Sequence, residues 1–263
     1  MLLADHGVMT LRHLFYLLIS EHVVQNSEKD YHNLVRVIAQ ARRRGEISYS
    51  DIVDGTRGTI KPSSWTGLAD FTETVREAYR KDLCATQRDC LELWVEKSAI
   101  VGVIEDVCEK YDVLIRPLRG YASLSMMHAA AYMLSQVEKP IFVYYLGDWD
   151  PSGLDIERSA HKTLDELMEA RAVHWRRLAI VPVQIEEHRL VPIQAKTQDT
   201  RSNRFVREHG TRAVELDALP PDALRFEVEA AIISHVDRRK WKSLQAVEAA
   251  EKETFAEMLS KLT

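Results

Sequence analysis

From Thr10 onward, apolar residues recur at helical spacing, with Leu11, Leu14, Phe15, Leu18 and Ile19 on one side and Arg12, His13, Tyr16 and Ser20 on the other. Thr10 is placed to cap this first helix. Ser27-Glu28-Lys29-Asp30 has the form of a capping box, Tyr31, Leu34, Val35 and Ile38 follow at the same spacing, and Gly45 after Arg42-Arg43-Arg44 is a stop signal. A second helix is therefore predicted to run to about Arg44. Glu46 to Val53, followed by Asp54-Gly55, reads as a short strand or turn segment with a hairpin signal. Helices followed by a small wing predict a winged helix over residues 1–62.

Lys61-Pro62-Ser63-Ser64 has linker composition, and Leu68 to about Thr86 is amphipathic, with Phe71, Val75, Ala78 and Tyr79 on one face. Residues 63–90 are thus expected to form a connecting helical segment. Beyond them apolar runs and helical stretches alternate: Leu91 to Val95, Ile100 to Cys108, Val113 to Leu118, Leu124 to Leu134, Ile141 to Leu146, Leu154 to Leu167 and Leu178 to Ile185. This order predicts an α/β domain over residues 91–263, a parallel sheet with helices on both faces. Asp217-Ala218-Leu219-Pro220-Pro221 precedes a last helical stretch, roughly Ala223 to Val236, and a charged tail rich in Ala and Glu.

The composition, 46% hydrophobic and 29% charged over 263 residues, is that of an ordinary globular chain. No apolar run approaches the roughly 18 residues a membrane helix needs, and the first residues lack a signal-peptide pattern, so a cytoplasmic location without membrane contact is expected. Cys84, Cys90 and Cys108 form no CxxC pair, which argues against a disulfide framework or a zinc site. The net charge of −5 is unevenly spread: residues 91–170 carry seven Lys/Arg against fourteen Asp/Glu. Acid gathered in one block is either a solvated face or a place for metal cations.

Two predicted strands end in carboxylates. Leu91-Glu92-Leu93-Trp94-Val95 leads into Glu96-Lys97, and Ile141 to Gly147 leads into Asp148-Trp149-Asp150-Pro151-Ser152-Gly153. Ligands of doubly wound sheets bind at the carboxyl ends of strands. If these two strands are neighbours, Glu96, Asp148 and Asp150 bring three hard oxygen ligands together, a set suited to Mg²⁺.

These motifs resemble the Toprim domain of the topoisomerase VI A subunit and the related meiotic double-strand-break transesterases. The resemblance extends to Leu118-Arg119-Gly120-Tyr121-Ala122-Ser123, similar to the family's glycine turn without the Thr-Arg that often follows. Downstream it takes in Ile180 to Ile185, Lys196, Asp199, Arg201 and Glu215-Leu216-Asp217-Ala218-Leu219-Pro220. At the other end, Arg12-His13-Leu14-Phe15-Tyr16 is similar to the family's Arg-x-x-Tyr-Tyr, with Phe15 in place of the first tyrosine. The resemblance thus runs from about Thr10 to Asp237. It implies a winged helix followed by a Toprim Rossmann-like domain, with Glu96, Asp148 and Asp150 binding magnesium and Tyr16 attacking DNA. A 5′-phosphotyrosyl link and a free 3′ hydroxyl would follow. It further implies a homodimer in which the tyrosine of one subunit meets the magnesium site of the other. Arg12, four residues from Tyr16 on the same helical face, is placed to favour the phenolate or hold the phosphate.

For contact with double-stranded DNA the candidates are Arg42, Arg43 and Arg44 at the end of the second helix and Arg57 after the wing, with further basic stretches at Lys196 to Arg207 and Arg238 to Lys242. The sequence contains no GxxxxGK[ST] loop, so strand passage would call for a separate ATPase (B-type) subunit. Two other readings keep part of the pattern. In a hydrolytic Toprim nuclease, similar to the overcoming-lysogeny-defect group, metal-activated water attacks and Tyr16 is structural. In a DNA-binding scaffold the acids are without a catalytic role.

Overall fold

The computed structural model describes residues 2–53, 63–169, 171–194 and 202–260. The chain opens with α1 (Leu2–His6), β1 (Met9–Thr10), α2 (Leu11–Ser20) and α3 (Glu28–Arg43), and comes back beside β1 as β2 (Ile52–Val53). Thr10 Oγ1 accepts the His13 N–H at 3.0 Å and Ser27 Oγ accepts the Asp30 N–H at 3.1 Å, so each helix starts on the capping residue its sequence supplies. The apolar sides of α2 and α3 close on Met9 and Ile52, burying Leu14, Phe15, Leu17, Leu34 and Ile38. Of residues 46–53, only Ile52–Val53 is strand, and it pairs in parallel with Met9–Thr10. The hairpin signal at Asp54-Gly55, together with Arg57, lies outside the described residues.

After α4 (Leu68–Ala78) the alternating part begins: β3 (Cys90–Val95), α5 (Ser98–Lys110), β4 (Leu114–Pro117), α6 (Leu124–Ser135), β5 (Ile141–Leu146), α7 (Pro151–Met168) and β6 (Val173–Ala179). Then follow α8 (Pro182–Glu187), β7 (Ile193–Gln194), α9 (Ser202–His209), β8 (Arg212–Ala213), a 3₁₀ turn (Leu216–Ala218), α10 (Pro221–Ile233) and α11 (Arg238–Ser260). Strands β3 to β6 form one parallel sheet in the order β4-β3-β5-β6. Successive strand residues face opposite sides. Leu93, Val95, Tyr144 and Leu146 pack with α5 and α10, whereas Trp94, Val143 and Tyr145 pack with α6 and α7. The α/β fold read from the sequence is therefore the fold observed, with helices on both faces of the sheet.

The last strand differs from expectation. The apolar run Leu178 to Ile185 is split between the end of β6 and α8, and the strand itself starts at Val173. As an edge strand, β6 exposes His174 and Arg176 on alternate positions, so its pattern reads as polar, and Pro182 starts the helix that breaks the run. The charged tail forms a helix of 23 residues, α11. It supports the otherwise exposed α4 segment through Glu251, which accepts from Tyr79 Oη at 2.5 Å and from Lys81 Nζ at 2.8 Å. Trp241 at its start is buried beside the Tyr111 ring.

The N-terminal helices are seated directly on the sheet domain. Arg225 of α10 donates to the carbonyls of Val8 at 2.9 Å and His6, holding the backbone that enters β1. At Gly102 of α5, a Cβ would stand 3.0 Å from the Val53 side chain, so glycine there lets β2 lie close. Among the described residues, no helix is long and apolar enough to cross a membrane. The three cysteines are free thiols, with Cys108 buried and Cys84 and Cys90 half-buried.

Gly153, in the first turn of α7, is the tightest such position: a Cβ there would fall 2.3 Å from the backbone carbonyl oxygen of Asp148. Backbone cannot step aside as a side-chain tip can. Gly153→Ala is expected to lower stability by about 1–3 kcal/mol, the range for overpacking, in urea denaturation followed by circular dichroism. Unchanged stability would show that the turn from β5 to α7 has slack.

Candidate active site

Strand order decides where the two carboxylate-bearing tips go. β3 and β5 are hydrogen-bonded neighbours, and chain connections depart to opposite sides of this pair, with β4 outside β3 and β6 outside β5. A crevice opens at such a reversal, at the carboxyl ends of the strands. Glu96 and Asp148 stand on its two sides and touch: the Asp148 N–H donates to Glu96 Oε2 at 2.9 Å. A Cβ on Gly147 would lie 2.7 Å from that same Glu96 oxygen, so the glycine before Asp148 makes room for the carboxylate. Gly120 of the 118–123 turn adds its N–H to the Glu96 carbonyl at 3.2 Å.

The third acid of the predicted trio has a different duty. Asp150 Oδ1 accepts the Gly153 N–H at 2.6 Å and caps α7, with Pro151 in the first turn. All three acids nevertheless line one cleft of about 810 Å³, whose other walls include Arg12 of α2, Arg42 of α3, Lys97 and the 215–217 turn. Trp149, between the aspartates, belongs to the core; its backbone bridges to Val214 at 2.8 and 2.9 Å. Glu92, earlier on β3, is held by Arg116 at 2.9 and 3.0 Å and takes no part in the cleft.

Three residues to which the sequence pattern assigned no role complete the cluster. Lys97 Nζ lies 2.9 Å from Asp148 Oδ1, 3.1 Å from Asp217 Oδ2 and 3.8 Å from Glu215 Oε2. Asp148 Oδ1 also accepts the Leu216 N–H at 2.7 Å, tying the 3₁₀ turn to the tip of β5. Arg12 grips Glu215 with two hydrogen bonds of 2.6 Å, and Thr10 Oγ1 donates to Asp217 Oδ1 at 2.9 Å. The helix that carries Tyr16 is thereby docked on the edge that displays Glu96 and Asp148. The only sequence signal for Glu215 and Asp217 was their place in the resemblance, and for Lys97 its position beside Glu96.

Charge crowding shows in the titration of these groups. Burial, then the Asp148 carboxylate, pushes Glu96 up to about 7. Burial also raises Asp148, against the pull of Lys97 and the Leu216 N–H. For Asp217 burial is outweighed by Lys97 and its other partners, and its pKa is held below the carboxylate range. Lys97 is kept protonated, because Asp217, Asp148 and Glu215 together exceed the effect of its burial.

Tyr16 is 4% exposed and packs in the N-terminal core, edge-on to Phe15 with ring centroids 5.9 Å apart. Among the described residues it is not part of the cleft wall. Burial and the Glu215 carboxylate push its phenol up to about 12, with Arg12 acting the other way. Arg42 turns inward: its guanidinium donates to the carbonyls of Tyr49 at 3.2 Å and Ile52, and lies 5.3 Å from the Tyr49 ring. Arg43 and Arg44 are exposed, Arg44 paired with Glu46 at 3.1 Å. Arg57, Lys196 and Arg201 lie outside the described residues.

Glu96, Asp148 and Asp150 fit a magnesium ion by chemistry. Each uses one carboxylate oxygen in the contacts above, and among the described residues the other oxygen of each has no hydrogen-bond partner, which leaves three hard donors on one cleft. A second cluster, Asp82, Cys84 and Asp112, has ligand-type atoms within 4.8 Å of one another. Its thiol donates to the carbonyls of Tyr111 and Asp112, and burial pushes it up to about 12, so it is a protonated group and a weak ligand. No protein-family model and no curated protein matches this chain.

His13 supplies a pH test of the docked helix. It is wholly buried; its Nδ1 lies 2.9 Å from Thr10 Oγ1 and 3.4 Å from the Thr10 backbone nitrogen, and Nε2 has no partner among the described residues. Burial holds His13 down to about 4, against 6.5 when unfolded. A lowered pKa means the unfolded chain binds the extra proton first, so this stabilisation is complete above pH 6.5 and is lost as pH falls towards 4. The loss amounts to about 3 kcal/mol. Glu96, raised by its surroundings, acts in the opposite sense between pH 4.5 and about 7. The His13 contribution is therefore read as a difference: in magnesium-free urea titrations, His13→Gln should lose less stability between pH 6.5 and 4.5 than the unmodified protein. Equal losses would mean that His13 is protonated in the fold.

Proposed function

We propose that this protein breaks and rejoins double-stranded DNA by magnesium-dependent transesterification from Tyr16, in the manner of the topoisomerase VI A subunit that its motifs resemble. The observation that carries this reading is the docking of α2 through Arg12–Glu215 and Thr10–Asp217 onto the strand tips bearing Glu96 and Asp148.

Magnesium held by Glu96, Asp148 and Asp150 would supply charge neutralisation at the phosphodiester and the leaving 3′ oxygen. The chain's own groups do the rest. Tyr16 Oη forms the bond to phosphorus as the bond to the 3′ oxygen breaks; the phenolic proton leaves to solvent or a base, and the 3′ oxygen takes one up. The phosphodiester count is unchanged, so the reverse attack by the 3′ hydroxyl reseals the strand. With a pKa pushed up to about 12, the phenol needs the cationic help of Arg12, which now belongs to Glu215. Arrival of a phosphate at Arg12 would exchange one anion for another. Arg43, Arg44 and Arg57 are the candidates for the DNA backbone, a homodimer would cut both strands, and a separate ATPase subunit would drive strand passage.

Burial of Tyr16 away from the cleft wall favours a second reading, hydrolysis at the same acids by activated water. Incubation with supercoiled plasmid and magnesium, followed by a detergent quench, separates the two. Transesterification should leave protein covalently attached to 5′ ends, with the adduct lost in Tyr16→Phe and all cleavage reduced at least about 100-fold in Asp148→Asn. Cut DNA with free ends, unaffected by Tyr16→Phe, would establish hydrolysis. No cleavage with or without an ATPase partner would defeat both.

A further inference from the structure

The acid cluster contains a cation of its own. Lys97 Nζ is shared between Asp148 at 2.9 Å and Asp217 at 3.1 Å, with Glu215 at 3.8 Å. Arg12, the other cation nearby, already commits both of its bonds to Glu215. Lys97 is thus the group that offsets Asp148, one of the acids assigned to magnesium. Its position is set by backbone: it directly follows Glu96 and precedes the first turn of α5, so its ammonium is delivered to the crevice whenever β3 is formed. Its side chain is 29% exposed and lines the cleft, which leaves it a path to a ligand there. A lysine suits such a post, being a point charge on a flexible stem that can move between anions without any demand on orientation.

We infer that Lys97 is a built-in counter-ion that makes divalent-cation binding at Glu96 and Asp148 weak in the free protein and strong once a phosphate draws the ammonium away. The inference rests on the magnesium site proposed above and adds the regulation of that site. Lys97 is a positioning residue in this role, acting on the metal through Asp148. The consequence is order: metal and DNA enter together, and the free protein is spared a loaded, reactive site.

A purely structural Lys97 makes the opposite prediction. If it served only to tie Asp148 to the 215–217 turn, its removal would loosen the ligands and weaken the metal. The sign of one affinity change therefore decides. Mn²⁺, as a paramagnetic stand-in for magnesium, is titrated into the full chain and followed by electron paramagnetic resonance, with and without a short DNA duplex. Lys97→Met is expected to tighten DNA-free Mn²⁺ binding about ten-fold, the scale for removing one unit charge a few ångströms from a divalent ion in a solvated cleft. Lys97→Arg should stay within about two-fold of the unmodified protein, and DNA should tighten binding in the unmodified protein more than in Lys97→Met. Unchanged or weaker Mn²⁺ binding in Lys97→Met, with its thermal transition intact, overturns the inference. Lys97→Gln, which keeps a hydrogen-bond donor without the charge, carries the same expectation if the methionine variant does not fold. Asp148→Asn identifies the site: if no bound Mn²⁺ in any variant responds to it, the magnesium reading falls as well, whereas an Asp148-dependent site that Lys97→Met fails to tighten removes the counter-ion alone.

Discussion

Direct pairing of β3 with β5 is the constraint on which the site depends. Sequence neighbours β3 and β4 are also paired, but β5 takes the other flank of β3, and the two tips that carry Glu96 and Asp148 come to face one crevice. The consequences are local and severe. Gly147 must be without a side chain because Glu96 lies over it, and Gly153 because α7 begins under the Asp148 carbonyl. Asp148, held there, becomes the acceptor for Leu216, and through the 215–217 turn for the whole N-terminal helix. Another strand order would separate the acids and leave Lys97 without its partners.

The N-terminal helix is attached by groups that serve two ends at once. Thr10 Oγ1 caps α2 through the His13 N–H and donates to Asp217, so helix start and docking share one hydroxyl. Arg12 sits on the cleft wall and is the link to Glu215. Thr10, Arg12 and Asp148 bind this junction through hydrogen bonds, which gives it the directional character that apolar packing lacks.

Much of this was legible in the chain, for identifiable reasons. Runs such as Ile141 to Leu146 are short, continuous and β-rich, and their strands emerged within a residue or two of expectation because buried parallel strands are apolar on both faces. The caps Thr10 and Ser27 announced α2 and α3 by side-chain chemistry alone. Edge strand β6 was misplaced because its solvent side carries His174 and Arg176. Asp150 lines the cleft with the other two acids, and Asp-Pro-Ser-Gly is at the same time a helix start, a role that its Oδ1 fills. Lys97, Glu215 and Asp217 could not be united from spacing, since more than a hundred residues separate the first from the other two; only strand order brings them together. Arg42 illustrates the reverse: read from the sequence as a contact for the DNA backbone, its guanidinium is bonded to two nearby carbonyls at the edge of the cleft.

Arg225 sets a schedule for the growing chain. The carbonyls of His6 and Val8 that it satisfies belong to the first ten residues, while the guanidinium itself arrives more than two hundred residues later. Asp217 and Glu215, which hold Thr10 and Arg12, are almost as late. During synthesis the N-terminal helices therefore emerge first, and the carbonyls of His6 and Val8 wait for Arg225 while the sheet assembles behind them. Such a contact pattern leaves α2 without its seat in a chain cut short before residue 215, because Glu215 and Asp217 are then missing.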